Sequence, residues 1–153
     1  MKIDPLKSYE VGKSMTDSHL PASNRTILVV DDNPEVVEVA RITLEGKGFN
    51  VRCAYSGKDL FAGLEEQKPD LILLDIMMPL MDGLEVLTRL KKNLDTASIP
   101  VILLTAKVKY EDVQLGYKSG ADYYITKPFT GTQLLTGINT LLSRDQGDSV
   151  ESP

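Results

Sequence analysis

The feature that most constrains this sequence is a regular alternation between short β-rich runs and longer segments with helical spacing. The runs lie at residues 26–31, 50–54, 70–75, 99–105 and 122–126. Three of them are nearly continuous Ile, Leu and Val, as expected for strands buried on both faces of a parallel sheet. The alternation predicts an α/β domain with five β-strand and α-helix units, in which helices cover both faces of one open parallel sheet.

The segments between the runs begin with helix-capping signals. Asn33 precedes Pro34, which is an N-cap followed by proline at the first helical position. Residues 56–59 and 82–85 resemble capping boxes, and residues 130–133 form a complete one. The segment at 109–119 has the weakest helical period of the five. These signals predict five helices, one after each strand.

The two ends of the chain lack any sustained apolar period. Residues 1–24 are predicted to be a flexible N-terminal extension and residues 143–153 a flexible C-terminal tail, which leaves 25–142 as the folded domain. The single histidine, His19, lies in that extension and is interpreted as a solvated residue rather than a ligand.

Charge and cysteine content narrow the class of protein. A formal net charge of −5 argues against a non-specific electrostatic grip on nucleic acid or an anionic membrane. The longest apolar runs are far shorter than the roughly 20 residues that span a bilayer, and no apolar secretory signal is present. Cys53 is the only cysteine, so no intramolecular disulfide can form. We therefore expect a cytoplasmic protein with no membrane insertion.

Five polar residues and one alanine lie where the predicted strands end. The residues at or just after the ends of the first, third, fourth and fifth strands are Asp31, Asp32, Asp75, Thr105, Ala106 and Lys127. Parallel strands bring their carboxyl ends to one edge of the sheet, which is where ligands bind in open α/β folds. The sequence therefore predicts that these residues meet in one site.

The chemistry of this set indicates phosphoryl transfer with a metal ion. Three carboxylates in a poorly solvated cleft repel one another unless a cation lies between them, and oxygen ligands favour Mg²⁺. Lys127 and Thr105 supply a positive charge and a hydroxyl for an anionic phosphoryl group. Asp75 is the candidate nucleophile, because it stands alone at the end of the central strand while Asp31 and Asp32 form a pair suited to the metal.

The segments ILVVDDN, LILLDIMMPLMDG, VILLTA and GADYYITKPF occur in this order. Over about residues 26–142 the sequence resembles receiver domains of response regulators in two-component systems, of the chemotaxis-regulator type. The resemblance implies a flavodoxin-like five-stranded sheet of order 2-1-3-4-5. It also implies a phosphorylation-dependent switch that accepts a phosphoryl group on Asp75 with Mg²⁺.

Roles for the metal site follow from the same resemblance. It implies that Asp75 is the phosphoryl acceptor, that Asp32 binds the metal directly, and that Asp31 acts through metal-bound water. The backbone carbonyl of Met77 completes the protein ligands. Met77 and Lys107 lie at positions where the family tunes the lifetime of the phosphate, and a bulky apolar residue with a long cation predicts slow self-dephosphorylation.

The remaining roles concern the phosphoryl group and the switch. The resemblance implies that Thr105 moves onto the phosphoryl group, that the Ala106 amide donates to it, and that Lys127 pairs with it. Tyr124 matches the aromatic residue that swings inward as the threonine moves. The Lys127–Pro128 peptide bond is expected to be cis.

The resemblance also implies the partners. The phosphoryl donor is expected to be a histidine kinase or a histidine phosphotransfer protein, and the output a protein target on the face of helix 4, strand 5 and helix 5. No direct nucleic-acid contact is expected. The domain is interpreted as a switch rather than an enzyme, since it catalyses only its own phosphoryl transfer and autodephosphorylation.

Three alternatives stay open. The chain could be the excised receiver of a longer regulator or hybrid kinase, or a receiver that signals without phosphate. An aspartyl-nucleophile phosphatase is a rival from another class, but it needs a second acid two residues beyond the nucleophile, where Met77 stands. A flavodoxin-type electron carrier is disfavoured, because Asp31 and Asp32 would repel a flavin phosphate.

Overall fold

The computed structural model describes residues 25–106 and 109–151. The predicted N-terminal extension with His19 lies outside the described residues, and so do Lys107 and Val108. The described part contains five strands and five helices that alternate along the chain.

The five strands form one parallel sheet. They are β1 (Thr26–Val30), β2 (Asn50–Ala54), β3 (Leu71–Asp75), β4 (Val101–Thr105) and β5 (Tyr123–Thr126). Their spatial order is β2-β1-β3-β4-β5, and every neighbouring pair is parallel. The predicted fold class and strand order are thereby confirmed, with β2 and β5 at the two edges of the sheet.

The five helices are α1 (Pro34–Glu45), α2 (Gly57–Glu66), α3 (Gly83–Lys92), α4 (Tyr110–Lys118) and α5 (Gly131–Glu151). The side chains of Asn33, Ser56 and Asp82 each accept a backbone N–H of the first turn that they precede. Thr130 and Gln133 cap α5 reciprocally, as the capping box predicts. Helix α4 begins after Lys109 with no side-chain cap, in keeping with its weak sequence signal.

Alternate residues of each inner strand face two separate cores. Leu28 and Val30 point to a cluster shared with α2 and α3, whereas Ile27 and Val29 point to a cluster shared with α1 and α5. Each fully buried Leu or Ile side chain contributes on the order of 2 kcal/mol to the stability of the fold. This two-sided burial explains why the central strands are continuous apolar runs.

The last helix is longer than the sequence predicts. The predicted boundary is residue 142 with a flexible tail beyond it, whereas α5 continues to Glu151. Leu141 and Leu142 are buried and are the last described residues of the core. Residues 143–151 carry no periodic apolar pattern in the sequence. An apolar period indicates packing against a core, whereas local backbone hydrogen bonding is enough to continue a helix that is already formed.

A membrane-crossing helix is not found in the described part of the chain, because none of its helices combines the length and the apolar character that a bilayer requires.

Candidate functional site

Three carboxylates meet at the carboxyl edge of the sheet. Asp31 directly follows β1, Asp75 is the last residue of β3, and these two strands are neighbours. One oxygen from each of Asp31, Asp32 and Asp75 lies within 4.8 Å of the others. Asp31 is fully buried and Asp75 is 3% exposed, whereas Asp32 faces solvent. The structure therefore brings the three predicted acids together in one half-open cluster.

Lys127 reaches the same cluster from the end of β5. Its Nζ lies 2.6 Å from Asp31 Oδ2 and 3.6 Å from Asp75 Oδ1. The Lys127 backbone N–H donates to the Thr105 carbonyl at 2.9 Å, and the following peptide bond to Pro128 is cis, as the resemblance implies. The lysine is thus an internal counterion of the two buried acids.

The pKa of Asp75 is raised from 3.8 to about 6. Burial of the carboxyl group is the largest cause, and the negative charge of Asp31 adds to it. The charge of Lys127 and a hydrogen bond from the Met77 backbone act in the opposite direction. Asp75 is therefore mostly ionised at pH 7.5, but it takes up a proton a little below neutrality.

Backbone donors orient both buried carboxylates. The Asn33 N–H donates to Asp31 Oδ1 at 2.9 Å, and the Met77 N–H donates to Asp75 Oδ1 at 3.2 Å. Each donor lies two residues after the acid that it serves, which is the geometry of an Asx-turn. These two contacts were not predicted from the sequence, although an Asp at a strand end that is followed by a turn is a signal that indicates them.

Gly83 seats the first turn of α3 directly against the end of β3. Its N–H donates to the Ile76 carbonyl at 2.7 Å. A Cβ on Gly83 would lie 2.6 Å from Ile76 Cα and would also collide with the Asp75 carbonyl oxygen. Glycine is therefore required for this close approach, a constraint that was not predicted from the sequence, although Gly83 ends the segment LILLDIMMPLMDG.

The other predicted residues surround the cluster at different depths. Thr105 ends β4, is fully buried, and stands in register with Thr126 of β5. Ala106 follows in an exposed bend, and Met77 is 53% exposed in the loop after Asp75. Lys107, which was predicted to affect the phosphate lifetime, lies outside the described residues.

Tyr124 lies two residues before the end of β5, opposite Leu103 of β4. Its ring is partly buried against the core shared with α2 and α3. The Tyr117 ring of α4 lies beside it, with ring centroids 6.3 Å apart. Tyr124 therefore packs between the core and the Tyr117 ring of α4, which belongs to the predicted partner face.

The donor set fits a hard divalent cation. Three carboxylates and one ammonium carry two net negative charges when all are ionised, which a single divalent ion would balance. The cluster offers carboxylate oxygens, the ligands that Mg²⁺ prefers. Burial is the main cause of the raised pKa of Asp75, and repulsion from Asp31 and Asp32, which a cation would relieve, adds to it.

Comparison with known sequences identifies a family. Residues 27–139 match the family described as the response regulator receiver domain. The chain is 38% identical over 125 residues to the DNA-binding response regulator MtrA of Mycolicibacterium smegmatis. The aligned region covers 82% of this chain and 54% of that protein. The chain thus spans about half the length of this curated relative.

Solved structures of receiver domains are similar to this chain in both sequence and fold. The N-terminal domain of a response regulator receiver protein from Methanoculleus marisnigri is 45% identical, with a TM-score of 0.64 over 78% of this chain and 98% of that chain. The signal receiver domain of a signal transduction histidine kinase from Syntrophus aciditrophicus is 35% identical, with a TM-score of 0.73 over 84% of this chain and 94% of that chain.

Proposed function

The chain belongs to the response regulator receiver domain family, and from this premise we propose that it is a phosphorylation-dependent switch that accepts a phosphoryl group on Asp75. The observation that carries the proposal is the convergence of Asp31, Asp32 and Asp75 within 4.8 Å, with Lys127 beside them. The phosphoryl donor in this proposal is a histidine kinase or a histidine phosphotransfer protein.

Asp75 is a better nucleophile than Asp31 in this arrangement. Asp31 is engaged at both oxygens, by Lys127 at 2.6 Å and by the Asn33 N–H at 2.9 Å. Lys127 stands farther from Asp75, at 3.6 Å. Asp75 also ends the central strand, so its carboxylate is the one placed between the flanking loops. The lysine therefore holds Asp31 in place and leaves Asp75 the more reactive acid.

In the proposed step, an Asp75 carboxylate oxygen attacks the phosphorus atom and forms a new O–P bond. The bond from phosphorus to the donor histidine nitrogen breaks, and the electron pair stays on that nitrogen. The Lys127 ammonium exchanges its ion pairs with the carboxylates for ion pairs with the phosphoryl oxygens. The Thr105 hydroxyl and the Ala106 amide donate hydrogen bonds to the same phosphoryl group. Attack requires ionised Asp75, which its pKa of about 6 provides at pH 7.5.

Mg²⁺ is the proposed cofactor. Asp31, Asp32, Asp75 and the Met77 carbonyl would hold it, and when bound it would supply positive charge that offsets the negative charge of the phosphoryl oxygens. The buried carboxylates explain why a cation is needed, because Lys127 alone does not balance them.

The output in this proposal is protein binding through the face formed by α4, β5 and α5. Movement of Thr105 toward the phosphoryl group would let Tyr124 change position and alter this face. The proposal includes no direct contact with nucleic acid and places the domain in the cytoplasm. The same switch would serve as one domain of a longer regulator or of a hybrid kinase, since the relatives include a longer DNA-binding regulator and a histidine kinase receiver.

A mass measurement tests the acceptor. The protein is incubated with acetyl phosphate, with and without Mg²⁺, and its intact mass is recorded for wild type and for Asp75→Asn. Asp95→Asn is the matched control, because Asp95 is exposed in the loop before β4, at the opposite edge of the sheet. We expect one phosphoryl group on wild type and on Asp95→Asn, only with Mg²⁺, and none on Asp75→Asn. Equal modification of Asp75→Asn would refute the proposal.

A further inference from the structure

Two successive tyrosines of the edge strand β5 face opposite sides of the sheet, and each lies against a glycine. A Cβ on Gly116 of α4 would lie 3.2 Å from Tyr124 Cε2 and 2.8 Å from Leu103 Cδ1. A Cβ on Gly137 of α5 would lie 2.9 Å from Tyr123 Cε2. Each helix therefore lacks a side chain at the point where a tyrosine ring lies.

Of the two glycines, Gly116 lies against Tyr124, the tyrosine of the proposed switch. It is the buried residue of α4 and lies inside the helix, where glycine is unfavourable relative to alanine. Its backbone has no positive φ that would demand glycine. The tight contacts with Tyr124 and Leu103 are thus the physical reason for a glycine at this position.

Tyr117 closes the other side of the Tyr124 ring. The two rings lie 6.3 Å apart at an angle of 39°. Burial raises the pKa of Tyr117, while a hydrogen bond from the Tyr124 backbone to its hydroxyl lowers that pKa. Tyr124 therefore lies in a slot bounded by Gly116, Tyr117 and Leu103, and we call this the Tyr124 slot.

We propose that Gly116 is a positioning residue for the switch, because its missing side chain keeps the Tyr124 slot open and so sets the equilibrium between the positions of the Tyr124 ring. This inference rests on the proposed function, in which Tyr124 moves in response to the group on Asp75. Two states linked in this way require that a change at Gly116 alters ligand affinity at the distant acidic cluster.

The test combines a substitution with a spectroscopic signal from the ring. The six tyrosines are replaced by 3-fluorotyrosine, and ¹⁹F NMR signals of Tyr123 and Tyr124 are assigned with the Tyr123→Phe and Tyr124→Phe variants. Spectra of wild type, Gly116→Ala and Gly137→Ala are recorded during titration with beryllofluoride and Mg²⁺. Beryllofluoride is the probe because it mimics an acyl phosphate without transferring a group.

We expect Gly116→Ala to shift the Tyr124 signal and to change the beryllofluoride midpoint about threefold or more. The two effects must agree in direction. If the Tyr124 signal moves toward its beryllofluoride-bound position in wild type, the midpoint must fall; if it moves away, the midpoint must rise. Gly137→Ala should shift the Tyr123 signal and leave the Tyr124 signal and the midpoint as they are in wild type.

A double-mutant cycle separates positioning from general damage. In a Tyr124→Ala background, adding Gly116→Ala should change the midpoint much less than it does in wild type, because no ring remains for the methyl group to displace and only its 2.8 Å contact with Leu103 Cδ1 is left. An equal effect in both backgrounds would overturn the inference, and so would an unchanged Tyr124 signal or a midpoint that moves against the signal. Failure of wild type to respond to beryllofluoride would refute the proposed function instead, and that result is recognisable before any variant is made.

Discussion

Lys127 Nζ and Asp31 Oδ2 lie 2.6 Å apart, although the two residues are separated by 96 positions in the chain. The Asp31 side chain is fully buried, whereas that of Lys127 is 21% exposed. The lysine is therefore anchored at its charged end by a buried carboxylate. This contact joins the end of β5 to the loop after β1 and compensates a charge that would otherwise be buried alone.

Replacing Lys127 with Met should destabilise the fold in the absence of Mg²⁺. We expect a loss of about 3 kcal/mol in the free energy of unfolding at pH 7.5, because Asp31 and Asp75 lose their shared counterion. Addition of Mg²⁺ should restore part of this loss, since the ion would supply the missing positive charge. Urea denaturation with and without Mg²⁺ measures both effects.

Lys127→Arg is the matched control, because it keeps the positive charge at the same position. Its loss should be clearly smaller than that of Lys127→Met. If the two variants lose the same amount, the stabilisation comes from the shape or packing of lysine, and the electrostatic account is contradicted.

The raised pKa of Asp75 predicts an unusual dependence of stability on pH. Since the folded-state pKa of about 6 lies above the ordinary value of 3.8, the folded state binds the proton more tightly than the unfolded state. The contribution is favourable at low pH and is lost as the pH rises through about 6. On the order of 3 kcal/mol is involved for a shift of this size.

Asp75→Asn should therefore be more stable than wild type at pH 7.5 without Mg²⁺, by about 1–3 kcal/mol. Between pH 4 and pH 6.5 its stability should fall less steeply than that of wild type. Asp95→Asn removes the same charge from the opposite edge of the sheet and should keep the wild-type slope. Parallel slopes for wild type and Asp75→Asn in urea denaturation would show that Asp75 is not the titrating group.

The sequence was sufficient for the architecture because its physical signals are local and strong. Continuous apolar runs predict doubly covered strands, and the caps at Asn33, Ser56 and Asp82 mark three helix starts. The acids and Lys127 could be placed at one edge because parallel strands end on the same side. That Lys127 lies closer to Asp31, at 2.6 Å, than to Asp75, at 3.6 Å, could not be predicted, since no sequence pattern fixes distances between side chains so finely.

Features that depend on the close approach of two backbone segments could not be predicted from the sequence either. Gly83 and Gly116 occupy crowded positions without any positive φ, so no turn pattern points to them. The helix over 143–151 was not predicted for a related reason: an apolar period in the sequence is the signal that predicts a helix, and this stretch of sequence lacks one. The features that could not be predicted from the sequence are thus mainly steric contacts between segments that are distant in the chain.

Gly83→Ala should be one of the most damaging single-methyl substitutions in the domain. The new Cβ would lie 2.6 Å from Ile76 Cα, and both of its nearest neighbours are backbone atoms that cannot rotate away. We expect a loss of about 2–4 kcal/mol together with weaker Mg²⁺ binding, because the clash displaces the backbone that carries Asp75. Thermal denaturation and a Mg²⁺ titration measure these two effects.

Gly46→Ala provides the comparison for that substitution. Gly46 ends α1 with a φ of −64° and is exposed, so alanine should change stability by no more than about 0.5 kcal/mol. A similarly small effect of Gly83→Ala would mean that α3 can shift away from β3 without loss of stability. The close approach of α3 to the end of β3 would then not be needed to position Asp75.

Thr105→Ala should separate modification of Asp75 from the response of Tyr124. Thr105 is buried at the end of β4, and Tyr124 lies on the neighbouring strand β5, so Thr105 stands between the acidic cluster and that strand in the proposed switch. We expect the variant to accept a phosphoryl group from acetyl phosphate and Mg²⁺ while the ¹⁹F signal of Tyr124 no longer moves on modification. Thr105→Ser keeps the hydroxyl and should restore the movement. Intact mass and ¹⁹F NMR on the same sample distinguish the two steps, and a Tyr124 response that persists in Thr105→Ala would show that the signal reaches β5 by another route.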